Sequence, residues 1–79
     1  MERKILLFLK KWLINQGDCC PKNELDFFIV DNFKENARDE AITFVNQLIN
    51  KKWMQPIIKD GRVFIAVSGY GAEKLKKII

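Results

Sequence analysis

Val45-Asn46-Gln47-Leu48-Ile49-Asn50-Lys51-Lys52 runs through Trp53-Met54 into a β-rich stretch that turns at Asp60-Gly61. Ser68-Gly69-Tyr70-Gly71 then leads to Leu75. These residues read as a helix tail, a tight two-stranded hairpin and a short capped helix. Asp-Gly between runs of β-branched and aromatic residues is a two-residue turn signal, because both turn positions need positive φ. The spacing predicts strands over 53–58 and 62–67, with Lys59 opposite Arg62, Ile58 opposite Val63 and Ile57 opposite Phe64. Pro56 has no N–H to give, so its strand must lie at an edge with that position unladdered. Val63, Ile65 and Val67 share one face, expected to pack on helices. Ser68 caps the last helix, where Ala72, Leu75, Ile78 and Ile79 form a stripe between Lys74, Lys76 and Lys77.

Working back from the hairpin, the apolar period predicts a helix over 37–52. Its inner arc holds Ala37, Ala41, Phe44, Val45, Leu48 and Ile49, with Ile42 at the margin. Its outer arc holds Asp39, Glu40, Thr43, Asn46, Gln47 and Asn50. A turn over 32–36, plugged by Phe33, separates it from a helix over 21–31 that Pro21 opens, since a first-turn proline loses no hydrogen bond. Leu25, Phe28 and Ile29 face inward there. The first helix is predicted over 2–16, with Gly17 in the left-handed position that ends helices. Ile5, Leu6, Phe8, Leu9, Trp12 and Leu13 fall on one core arc, and Leu7 and Ile14 lie opposite among Arg3, Lys4, Lys10 and Lys11.

Seventy-nine residues form one domain, with no linker or repeat. The net charge of +4 is uneven: residues 1–40 carry seven Lys/Arg against eight Asp/Glu, and residues 41–79 carry seven against two. Such a basic surplus attracts polyanions. The apolar run at residues 5–9 is too short for a signal core or a span, so a cytoplasmic protein without membrane contact is expected. Cys19 and Cys20 are adjacent and there is no histidine. That excludes a disulfide framework and an ordinary zinc site, leaving two free thiols or an intermolecular bridge as the alternatives. No glycine-rich phosphate loop or paired nucleophile and base is present, so no enzyme, metal, cofactor or small-molecule ligand is expected.

The order helix, helix, turn, helix, hairpin, helix resembles a winged helix-turn-helix domain, over residues 22–79. Val45 and Leu48 fit the end of a recognition helix, with Lys52 where glycine is common and Trp53-Met54 as the following hydrophobic pair. Asp60-Gly61-Arg62 fits the wing, and Ser68, Gly71 and Leu75 fit the opening of the last helix. The pattern is similar to small transcriptional regulators of the multiple-antibiotic-resistance-like superfamily. It implies an α+β, mainly α fold: a three-helix helix-turn-helix core, a two-stranded β-hairpin wing and a C-terminal helix.

That resemblance implies a sequence-specific double-stranded DNA-binding protein and transcriptional regulator. The third helix (37–52) would enter the major groove, with the wing (53–67) on the backbone or minor groove. Thr43, Asn46, Gln47 and Asn50 are the base-reading candidates, since Asn and Gln pair bidentately with adenine. Lys34, Arg38, Lys51, Lys59 and Arg62 are the backbone candidates. Glu35, Asp39 and Glu40 repel phosphates, read cytosine amino groups or complement the helix dipole. Leu7, Ile14, Leu75, Ile78 and Ile79 are expected to pair two copies in a homodimer, whereas the alternative buries the last helix on the first. The competing function is a winged-helix protein–protein interaction module without DNA binding.

Overall fold

The computed structural model describes residues 1–78 and is α+β, mainly helical. The order is α1 (Glu2–Trp12), β1 (Cys19–Pro21), α2 (Lys22–Asn32), α3 (Glu35–Asn50), β2 (Met54–Lys59), β3 (Arg62–Val67) and α4 (Gly69–Lys76). The strands form one antiparallel sheet in the order β1-β3-β2. Ile5, Leu9 and Leu13 of the first segment, Leu25 and Ile29 of α2, and Ala41, Val45 and Leu48 of α3 meet Ile65 and Val67 in one core. Among the described residues, no helix is long and apolar enough to cross a membrane.

The hairpin forms in the expected register, Lys59 opposite Arg62, Ile58 opposite Val63 and Ile57 opposite Phe64. Asp60 (φ 52°) and Gly61 (φ 76°) both take the left-handed conformation that the turn demands. Hydrogen-bonded and open pairs alternate outward from the turn, which puts Pro56, opposite Ile65, at an open pair on the edge strand β2. Its missing donor therefore costs no ladder bond.

Four expectations are corrected. The first helix stops at Trp12 rather than at residue 16. Asp18 Oδ2 accepts from the N–H groups of Ile14 and Asn15 at 3.0 and 2.8 Å, drawing the chain into a turn in which Gly17 (φ 91°) lies. Trp12, at the helix end, is consequently exposed. Pro21, expected to open a helix, instead ends β1, which runs along β3 with Cys20 opposite Ile65 and fully buried. Val63 is 40% exposed rather than packed, because the helices cover the sheet only as far as Ile65. Leu75 is buried in this chain's own core instead of standing free for a second copy. Ile78 is half-buried, and Ile79 lies outside the described residues.

The junction of α3, the sheet and α4 is tight. α3 ends in a reciprocal pair of bonds, Lys52 N–H to Ile49 O (3.0 Å) and Trp53 N–H to Leu48 O (3.1 Å), with Lys52 left-handed at φ 68°. This is a Schellman closure, and it places lysine where glycine is favoured. Ser68 Oγ accepts from Gly71 N–H at 2.9 Å and lies 2.7 Å from Lys52 O and 3.0 Å from Trp53 O, to which its single proton is offered. A Cβ on Gly71 would lie 1.9 Å from Trp53 O, so only glycine lets α4 approach this closely.

Candidate nucleic-acid interface

Thr43, Asn46, Gln47 and Asn50 are all exposed. At 100° per residue they share an arc of roughly 100° on the outside of α3. The arc has a different neighbour on each flank. Met1 and Glu2 border Thr43 and Gln47 across a shallow depression that also holds Asp39 and Glu40. On the other flank, Ile42, Asn46 and Ile49 border Pro56, Val63 and Ile65 of the hairpin. No part of the described chain lies over the amide strip itself.

Charge along this strip is polarised. The N-terminal half of α3 carries Glu35, Asp39 and Glu40, and its end carries Lys51 and Lys52. Across residues 22–50, three Lys/Arg stand against six Asp/Glu, whereas residues 51–67 carry four against one. The positive potential therefore lies where α3 ends and the hairpin begins. Lys51 is the C-cap of α3 and exposed; Lys34 is the N-cap and exposed.

Arg38 is committed elsewhere. Its Nε donates to Phe33 O at 3.2 Å and its Nη2 to Val30 O at 3.1 Å, so it closes the carbonyl end of α2 and holds the α2–α3 turn. Phe33, as expected, plugs that turn, edge-on to Phe28. Lys59 and Arg62 are exposed at the hairpin tip and paired across the turn. Side chains alternate along a strand. Since Met54 and Val67 face the helices, Ile58 and Val63 share that face and Lys59 and Arg62 lean to the other. The hairpin thus turns its apolar pair toward α3 and its basic pair outward.

Sequence reasoning missed that apolar element. Ile42 and Val63 are exposed and border one depression with Asn46, and Ile58, opposite Val63 at the hairpin tip, is 78% exposed. The only signal was that Ile42 sits at the margin of the α3 arc. The thiols are both free. Burial, with the nearby Glu24 carboxylate adding to it, pushes the Cys20 thiol up to about 11, so it stays protonated and inert at neutral pH. Among the described residues, no group of three His, Cys, Asp or Glu is placed to hold a metal. No family model, curated protein or solved structure matches this chain.

Proposed function

We propose that this chain is a winged helix-turn-helix domain that binds double-stranded DNA sequence-specifically, as a transcriptional regulator. One observation carries the reading: Thr43, Asn46, Gln47 and Asn50 form an uncovered, uncharged donor and acceptor strip on α3, beside a projecting hairpin. In this reading the C-terminal half of α3 lies in the major groove, where Asn46 and Gln47 read base edges. Lys34, Lys51, Lys59 and Arg62 meet phosphates, and Ile42, Ile58 and Val63 supply apolar surface suited to thymine methyl groups.

A second reading, a protein-interaction module, is favoured by the six acids of residues 22–50 and by Phe27 and Val30 exposed on α2. Selection from a random duplex pool at two ionic strengths separates the two. DNA binding predicts an enriched motif and an affinity that falls steeply with salt, through counterion release. Arg62→Ala should weaken all sequences and lower the salt slope by about one contact. Asn46→Ala should lose on the order of 1–3 kcal/mol on the selected site and relax base choice there. A pool that yields no motif and no salt-dependent binding removes the DNA reading.

A further inference from the structure

Two apolar surfaces lie apart from the amide strip of α3, and their charged borders are opposite in sign. The first is an open apolar groove between α1 and α4. Leu7, Ile14 and Leu75 line it, and Lys10, Lys11 and Lys76 rim it. Lys10 Nζ donates to Ile78 O, tying α1 to the end of α4. Residues 1–12 and 69–79 together carry seven Lys/Arg against two Asp/Glu. The second surface is the outer side of α2. Phe27 (61% exposed) and Val30 (49%) make an i, i+3 apolar stripe there. On the helical wheel Glu24 and Asp31 flank that stripe on one side; Asp26, on the other, is paired with Lys22 at 2.9 Å. α1 stands between the two surfaces, since its Phe8 stacks on the inward-facing Phe28 at 4.3 Å.

We infer that these surfaces are the two halves of one head-to-tail contact between copies of this chain. The α2 stripe of one copy lies in the α1–α4 groove of the next, with Phe27 and Val30 against Leu7 and Ile14. Glu24 and Asp31 then face Lys10, Lys11 and Lys76. A two-fold pairing of α1–α4 faces, the arrangement expected from the apolar stripes alone, requires the surface to complement itself. It would instead set one lysine-rich rim against another. Two α2 faces fail likewise, acid against acid. The crossed pairing alone sets opposite charges against each other. It also leaves one groove and one α2 stripe unused at the ends of any chain of copies, so assembly continues or closes into a ring. The inference does not depend on nucleic-acid binding.

Sedimentation velocity of the full chain tests it, over a rising concentration series at roughly 50 mM and 500 mM salt, where charge attraction is respectively strong and screened. Expected is a mass average that rises with concentration at low salt and falls at high salt. Two variants break one surface each: Phe27→Ser on α2, and Lys11→Glu with Ile14→Ser in the groove. All three side chains are exposed, and melting followed by circular dichroism checks that each variant keeps its fold. Each variant alone should stay monomeric. Mixed one to one, they should give a heterodimer and nothing larger, because a single productive contact remains. A wild type that stays monomeric throughout overturns the inference. So does a Phe27→Ser chain that self-associates like wild type, the behaviour of a two-fold α1–α4 pair, and so does a mixture that remains monomeric.

Discussion

At the root of the hairpin, Met54 and Val67 are buried under the helices, while at the tip Ile58 and Val63, on the same pleat face, lie open to solvent. Both pairs have the residue types and the alternation of a core strand. The difference lies in what covers them. The core carries the face past Met54 and Val67 as far as Ile65, and beyond that no buried side chain packs on it. The root is also fastened by hydrogen bonds: Trp53 O accepts from Ser68 N–H at 3.0 Å, and Ser68 Oγ caps α4. Stability therefore concentrates at the root, and the tip is left available for contact.

The sharpest way to break this division is Gly71→Ala. The added methyl carbon would sit 1.9 Å from Trp53 O and 2.6 Å from its carbonyl carbon, both backbone atoms that no rotamer change can move aside. α4 must back away from the root, uncovering Ala72 and Leu75. The expected loss is about 3 kcal/mol or more. For a domain of this size that is a drop of roughly 12–24 °C in Tm by calorimetry. A drop of only a few degrees would mean that α4 is not held where the root needs it.

Ser68→Ala is the next step down. It leaves the Gly71 N–H without its acceptor and withdraws the hydroxyl proton from the Lys52 and Trp53 carbonyls. The expected loss is about 1–2 kcal/mol in urea titration, with Ser68→Thr close to wild type, since threonine caps in the same way. Equal losses for Ala and Thr would mean that bulk, not the hydroxyl bond, matters at this position.

The root was largely legible in the sequence, and the tip only in part. Asp60-Gly61 specified the turn and hence the whole register, because a two-residue loop leaves no freedom to slip. Ser68 and Gly71 announced a capped helix. The polarity of the α3 arc placed Thr43, Asn46, Gln47 and Asn50 on the outside, where they are found. What alternation cannot convey is the reach of the covering helix, so Val63 was expected inside. β1 was illegible for a related reason: three residues, Cys19–Pro21, are too few to show a period, and Pro21 also has the properties of a helix opener. The bonds from Arg38 to the end of α2 were not foreseen, because a guanidinium that closes a neighbouring helix has no signature separate from one that meets a phosphate.

The smallest expected effect comes from the residue that joins α3 to the root. The Lys52 position matches a pattern in which glycine is common, and a helix running on through residue 52 would have removed the discrepancy. α3 instead ends at Asn50, and Lys52 takes the left-handed conformation itself. Its carbonyl is needed by Ser68 and its N–H by Ile49 O, so the chain cannot relax without undoing the closure. Lys52→Gly keeps both backbone groups and removes the Cβ crowding of positive φ, a strain on the order of 1 kcal/mol. Part of that gain is offset by the freer unfolded chain. The net expectation is a stabilisation of about 0.5 kcal/mol or less, read as a shift in urea midpoint at constant m. Lys52→Ala is the necessary companion: it removes the same charge and keeps the Cβ, so it should give no stabilisation. If the two variants move the midpoint together, loss of the ammonium beside Lys51 is the cause, and Lys52 is unstrained.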